Sequence, residues 1–509
     1  MITFHFSKSM LPLALAVGIG LSSCNDDMMP PVENPDELMG TAPEVMFTAL
    51  TNDNRLVNYQ ARNLNDPMDI RSISGLPSGE MIISIDYRPA TGQLYALGSS
   101  SRLYLINENN GMATPLGEGA FSPAIMGENA SIDFNPTVDR IRLVTASGQN
   151  LRLHPETGQV IATDGMIRGG DNPQIGAIAY TNSMAGASST LLYDIDFRAN
   201  TLYIQNPPNE GGLEEVGPLG MDLMGMGNFD ITPDNNAALA VTLHEGESRL
   251  YSIALSSGQT QWVGRFTLPI LGIAFKTNPI AYASSKDNKL YRFNPNAPTM
   301  NPVDLTGLME GEWIAGLDFR PANGALFAIT NKSRLLVVNT ANGTVMEVGD
   351  GLSPTVEGYY LGFDFNPLVD RIRLISGSGQ NLRLHPVLGT VVATDGNLNP
   401  GSPMATAAAY TNNFPGTAST LLYVIDSESN MLYTQDPPND GVLQPVGQLG
   451  IDIEADNGFD IGGSSNMAFA LLKVNNSTGV YGIDLSTGNA TKIADFAIEA
   501  TAMAVGLGF

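Results

Sequence analysis

After residue 44 the chain is built of short apolar runs broken by Gly, Asn, Asp and Pro, and long stretches with apolar positions at helical spacing do not occur. That pattern predicts an all-β protein of short strands joined by turns. One phrase recurs: an apolar pair, a tyrosine or similar residue, then a turn ending in Gly or Asn. It is read at Leu56-Val57-Asn58-Tyr59, Leu103-Tyr104-Leu105-Ile106, Leu151-Arg152-Leu153-His154, Leu202-Tyr203-Ile204-Gln205 and Leu250-Tyr251-Ser252-Ile253, and again from Leu290, Leu335, Leu382, Leu432 and Val480. Its spacing, about 40 to 51 residues, is the length of a four-stranded propeller blade.

A second phrase falls between copies of the first. It reads Ile85-Asp86-Tyr87, Ile132-Asp133-Phe134, Ile178-Ala179-Tyr180, Phe229-Asp230-Ile231 and Ile273-Ala274-Phe275 in the first half. The second half answers with Leu317-Asp318-Phe319, Phe363-Asp364-Phe365, Ala408-Ala409-Tyr410, Phe459-Asp460-Ile461 and Ala504-Val505-Gly506-Leu507. Small, apolar and short, this phrase is expected as the innermost strand of each blade. Val45 to Leu50 reads as a second strand with no innermost strand before it, while Gly272 to Phe275 is an innermost strand with no blade after it. Ile280 to Ala283 and the strand at Ala504 repeat the arrangement. An open sheet edge invites association, so each late strand is expected to complete the early sheet of its own half. The expected architecture is two consecutive five-bladed β-propellers, residues 44–277 and 278–509. A single ten-bladed propeller is the alternative, outside the common range of about four to eight blades.

The halves are also related letter by letter. Phe134 to Gly165 (FNPTVDRIRLVTASGQNLRLHPETGQVIATDG) and Phe365 to Gly396 (FNPLVDRIRLISGSGQNLRLHPVLGTVVATDG) agree at 24 of 32 positions with a constant offset of 231. A period this long marks a duplicated domain. The texts GxDFNPxVDRIRL, GQNLRLxPxTG, AYTN, QxPPNDG and a closing GFDI resemble the bacterial family called domain of unknown function 4394. The chain is similar to a tandem pair of those domains over essentially everything after residue 44, and the resemblance implies no activity.

Upstream the composition changes. Residues 1–23 read as a lipoprotein signal peptide, with Lys8 as its positive charge and Leu11 to Leu21 as an apolar stretch shorter than the ~20 residues a membrane-spanning helix needs. Leu21-Ser22-Ser23-Cys24 resembles a lipobox, which implies cleavage before Cys24 and acylation of its thiol. An ordinary secretory signal is the alternative. Cys24 is the only cysteine, so once it is lipidated no disulfide, thiolate metal site or cysteine nucleophile remains. Residues 24–43, acidic and Pro-bearing, are expected as a flexible tether. Asn25-Asp26-Asp27 resembles the acidic sorting signal of some Bacteroidetes-type surface lipoproteins. The expected address is the cell envelope, as an outer-membrane lipoprotein at the cell surface or on the periplasmic face. With 25 basic against 51 acidic residues the formal charge is −26, which disfavours nucleic acid as a partner.

Two polar constellations are candidates for chemistry. Strand alternation sets Arg140 and Arg142 on one face of a hairpin, and Arg152 and His154 on its returning strand, with Asp139 and Asp164 nearby. Arg371, Arg373, Arg383 and His385 repeat them, with Asp370 and Asp395. Guanidinium forks suit a carboxylate, sulfate or polyhydroxy ligand; the alternative is that Arg–Asp pairs staple one blade to the next. The second constellation is the set of inner-strand carboxylates, Asp86, Asp133, Asp230, Asp318, Asp364 and Asp460. Converging on an axial pocket, they could serve a polysaccharide hydrolase or lyase. Followed in every case but Asp460 by a proline three residues on, they also fit caps of the turn after the strand.

No metal or cofactor is expected. Asp452 to Gly458 only faintly suggests a calcium loop whose counterpart at Asp222 has lost its ligands, and the histidines have no zinc spacing. Trp262 and Trp313, the only tryptophans, make no evident carbohydrate platform. The reading is a binding or interaction module for an unknown small-molecule, glycan or protein ligand, leaning away from an enzyme. The hydrolase or lyase and a structural envelope protein are the alternatives.

Overall fold

In the computed structural model, which describes residues 40–127, 129–223 and 225–509, the chain is all-β. The signal segment, Cys24 and residues 24–39 of the tether lie outside the described residues. Ten four-stranded antiparallel sheets account for the architecture, in keeping with propeller blades. Among the described residues the helical content is two short 3-10 turns, Pro208–Glu210 and Pro438–Asp440.

The recurring second phrase forms the innermost strand of each sheet. Ile82–Tyr87, Ala130–Asn135 and Leu361–Asn366 are buried along nearly their whole length, which is why they are apolar without alternation. The outermost strands, such as Val160–Thr163 and Val345–Val348, are only half covered and read weakly in the sequence. Turns between strands use left-handed residues where the chain must reverse sharply: Asp139 and Asp370, at φ of 51° and 50°, occupy matching positions in the two halves.

The late strands pair as their phrases suggested. Ile270–Ala274 lies antiparallel beside Met46–Thr51, with Thr48 opposite Ala274 and Ala49 opposite Ile273. Ala502–Val505 lies beside Ala281–Ser284, with Tyr282 opposite Ala504. Successive innermost strands are neighbours. In the first half Ile82–Tyr87 is followed by Ala130–Asn135, Ile175–Tyr180, Met226–Ile231 and Ile270–Ala274, and the last of these touches the first. In the second half Ile314–Arg320, Leu361–Asn366, Ala405–Tyr410, Asn457–Ile461 and Ala502–Val505 follow the same order and return to the start.

The core is divided among the spaces between adjacent sheets. Tyr95, Leu97 and Leu103 meet Phe134, Ile141 and Leu151 in one such layer. Its centre is an edge-to-face pair, Tyr95 on Phe134 at 4.9 Å, and Phe327 on Phe365 at 5.2 Å repeats it in the second half.

Residues 40–509 form one compact unit. The two halves touch at several places, among them the turn that follows Ile82–Tyr87. Arg88 donates to the Gly324 carbonyl (2.9 Å), Tyr282 to the Ala90 carbonyl (2.9 Å) and the Gly508 N–H to the Thr91 carbonyl (2.9 Å). Phe509 lies directly over Gly92, where a Cβ would collide with its ring.

Candidate functional site

The inner-strand aspartates converge. In the first half carboxylate oxygens of Asp86, Asp133 and Asp230 all lie within 4.8 Å of one another, and in the second half those of Asp318, Asp364 and Asp460 do the same. All six are buried; Asp318, Asp364 and Asp460 are 0%, 1% and 2% exposed. Each accepts at least one backbone N–H. Asp86 accepts from the Tyr87 N–H and, across to the next innermost strand, from the Phe134 N–H, both at 2.7 Å. Asp230 likewise accepts from Ile231 and Phe275 (2.6 Å each), and Asp318 from Phe319 (2.7 Å) and Phe365 (2.6 Å). Asp133 and Asp364 reach the Tyr180 and Tyr410 N–H groups at 3.0 and 3.1 Å. Asp460 accepts from Ile461 (2.6 Å) and Val505 (2.5 Å).

These carboxylates therefore tie neighbouring innermost strands together. The turn they were expected to cap is closed by backbone instead, as where the Arg88 N–H donates to the Gln93 carbonyl (3.0 Å).

Burial away from water pushes all six acids up. In Asp86, Asp133, Asp318 and Asp364 the negative charge of the neighbouring carboxylates adds to it. Burial alone lifts Asp230 and Asp460 to about 7, against the backbone N–H bonds that hold them down.

The second trio has two further features. Asp364 Oδ2 is buried and receives no N–H or hydroxyl donor, the Asp364 carboxyl lying against that of Asp460. Asn413, 1% exposed, sets its side-chain amide against Asp318 and leaves its own Oδ1 without a partner. The matching position in the first half is Ser183, whose hydroxyl turns to the Tyr180 carbonyl (3.4 Å).

The arginine hairpins are engaged within the chain, with Arg373 Nε left without a partner. Arg142 lies directly opposite Arg152 in the register, and both bind Asp164: Arg142 at 2.6 Å and Arg152 through two bonds at 2.8 and 2.9 Å. Arg142 also reaches Asn209 of the next sheet (2.7 Å). Burial works to raise Asp164, and the hydrogen bonds from Arg152 and Arg142 outweigh it, holding the carboxyl below its usual range. Arg373 and Arg383 grip Asp395 in the same way, with Arg373 reaching Asn439 (2.7 Å).

Asp139 takes the fork of the wholly buried Arg88, so the guanidinium groups divide between two carboxylates. Arg140 and Arg371 turn back on the carbonyls of Asp139 and Asp370. His154 and His385 accept local backbone N–H groups at Nδ1, from Glu156 and Val387 at 3.2 Å each. Burial, with the charges of Arg140 and Arg88, pushes His154 down to about 4, so its imidazole is neutral. The Asp452–Gly458 loop is committed as well, since Glu454 and Asp456 face Lys473.

A cavity of about 500 Å³ opens where the five innermost strands of the first half begin, at Ile83, Ala130, Gly176, Gly227 and Leu271. Gly176 and Gly227 make room for the Phe197 ring; a Cβ on Gly176 would stand 2.5 Å from it, and one on Gly227 closer still. Arg198, Asp222, His244 and Gln174 supply polar groups around the opening. The second half carries Thr406, Asn457, Ser427 and Glu428 at the positions of Gly176, Gly227, Phe197 and Arg198. There Asn457 donates to Thr406 Oγ1 (2.9 Å), a bond joining two innermost strands where the first half has glycines. None of the six aspartates lines any of the five cavities described.

Neither the cavity nor Asn413 is evident from a single reading of the sequence. The signal lay in aligning the halves and asking where they disagree. An aromatic rim was also missed: Tyr359, 61% exposed, stands 6.0 Å from Trp313, with Lys286 5.3 Å over the indole, because its second member is a tyrosine.

Comparison with family models finds one match made twice, to the Domain of unknown function (DUF4394), over residues 55–274 and 289–506. A search of curated proteins returns no match.

Proposed function

The chain belongs to the family of the domain of unknown function DUF4394, carrying it in tandem, and on that premise we propose a lipid-anchored binding module of the bacterial cell envelope that takes its ligand at the axial mouth of its first half. In this reading residues 44–277 and 278–509 are two five-bladed propellers. The pairing of Met46–Thr51 with Ile270–Ala274, and of Ala281–Ser284 with Ala502–Val505, supports that closure over a ten-bladed ring. The lipobox-like Leu21-Ser22-Ser23-Cys24 supports the anchor, and the charge of −26 suits an exported surface that does not meet nucleic acid.

The observation that carries the reading is the cavity framed by Gly176, Gly227 and Phe197. A concave site with an apolar floor and a few polar groups at its edge is the usual form of a small-ligand pocket. Ile83, Ala130, Phe197 and Leu271 offer the floor; Arg198, Asp222, Gln174 and His244 can orient a ligand with an apolar body and a polar end. Buried carboxylates outside the cavity are poorly placed to act on such a ligand, so binding rather than turnover is the better account.

The test replaces the mouth of the first half with that of the second, as Gly176→Thr, Gly227→Asn and Phe197→Ser together. Glycan and peptidoglycan-fragment panels read by calorimetry should give a ligand for the full chain that the triple variant loses at least tenfold. A ligand bound equally well by both would place the site elsewhere. Replacing Cys24 by Ser should abolish acylation and release the protein from the membrane fraction; retention of both would remove the anchor.

A further inference from the structure

From the second trio and its neighbouring amide, we infer that Asp318, Asp364, Asp460 and Asn413 form a cation site on the axis of the second half, suited to Ca²⁺. Three carboxylates with oxygens within 4.8 Å of one another are held there by backbone bonds that fix their positions. Excluded from water, three like charges this close repel strongly unless protons or a cation intervene. Asp364 Oδ2 receives no N–H or hydroxyl donor, the Asp364 carboxyl meeting only that of Asp460, and the buried Asn413 Oδ1 has no partner. A half turn of the Asn413 amide exchanges its nitrogen for that oxygen and offers Asp318's neighbourhood a ligand in place of a donor.

All four candidate ligands are hard oxygen donors, the set that Ca²⁺ and Mg²⁺ prefer. Ca²⁺ accepts a flexible shell of such oxygens, whereas Mg²⁺ keeps several waters that a site this buried has little room for. The first half tests the inference from within. Its trio, Asp86, Asp133 and Asp230, has the same carboxylates but Ser183 in place of Asn413, and the Ser183 hydroxyl is turned away to a carbonyl. The second half should therefore bind the cation more tightly than the first.

The experiment uses the full chain, stripped with chelator under mild denaturation and refolded, then titrated with Ca²⁺ alone by calorimetry and assayed for bound metal by elemental analysis. The expected result is a tight site, a thermal midpoint that rises with Ca²⁺, and a smaller response to Mg²⁺. Asn413→Ser, which installs the first-half residue, should weaken the tight site at least tenfold while leaving the fold intact. Asp364→Asn should abolish it.

If Asp364→Asn does not fold, the unaltered chain still decides the matter. No bound metal and no midpoint shift with Ca²⁺ would overturn the site. So would a tight site that Asn413→Ser leaves unchanged.

Discussion

Asp194 should be a liability, and its replacement by valine should stabilise the protein. It is wholly buried on the second strand of its sheet, Leu192–Asp196, opposite Ile178 on one side and Tyr203 on the other. Those partners belong to an apolar layer with Val144, Ile175, Tyr180 and Leu192. Neither carboxylate oxygen has a hydrogen-bond partner. The second half has Val424 at this position, 0% exposed in the corresponding layer with Ala408, Tyr410 and Leu422.

Leaving a buried carboxyl unbonded costs about 1–3 kcal/mol, and the valine methyls add about 1 kcal/mol of apolar burial. Asp194→Val should thus gain about 3 kcal/mol, or ~9 °C in the melting midpoint of a half of this size. Burial holds the Asp194 acid well above its usual 3.8, with the Arg142 charge opposing. The folded state therefore binds this proton more tightly than the unfolded one. Stability falls as pH rises above about 3.8, and the advantage of the valine variant should grow over that interval. Urea unfolding of both proteins from pH 4 to pH 8 measures it, with Val424→Asp as the reciprocal loss. An advantage that shrinks with pH would mean Asp194 is ionised and held by Arg142, and the reasoning would be wrong.

Three other outcomes are expected. Asp164→Ala strands Arg142 and Arg152, which both bind that carboxylate, and should cost about 3–5 kcal/mol; Asp395→Ala should match it in the second half, as denaturant midpoints will show. His154 is held at about 4 when folded against 6.5 otherwise, so the unfolded chain takes up its proton first as pH falls. Its contribution is lost between those values, and His154→Gln should flatten that part of the stability–pH curve relative to the parent. Phe509→Ala removes the ring that covers Gly92 and should cost about 3 kcal/mol, with faster hydrogen exchange at the Gly508 amide that donates to Thr91.

The all-β fold of four-stranded sheets was legible because strand-level chemistry is local. Buried on both faces, the innermost strands must be small and apolar, and the late strands at Ile270 and Ala502 betrayed themselves by having no sheet of their own. The meeting of Asp86, Asp133 and Asp230 was also legible, since each sits at the same step of the same phrase. What they bond to was not: alternation tells which face a side chain takes but not which backbone N–H stands across the gap. Phe134 and Phe275 supply those groups from a different sheet, some 45 to 48 residues along the chain. The arginines posed the same difficulty, since their final partners, Asn209 and Asn439, come from the following sheet. The cavity was hidden for another reason. Gly176 and Gly227 look like ordinary small inner-strand residues until Phe197 is seen resting on both.

Duplication separates what the frame requires from what each half has acquired. Arg142 with Asp164 and Arg373 with Asp395 are the same device in both halves, buried and paired, and a ligand would have to break them to enter. Such pairs are constraints of the sheets, whatever their charge suggests. The positions that differ lie elsewhere: Gly176 against Thr406, Phe197 against Ser427, Ser183 against Asn413. The first two open a mouth in the first half, and the third adds an oxygen beside the axial carboxylates of the second. Copies under one shared demand would keep the same residues at the same ends of their innermost strands. These halves keep the same frame and differ both at those ends and at buried sheet positions such as Asp194 against Val424. That pattern fits the proposed ligand mouth in one half and the proposed cation site in the other.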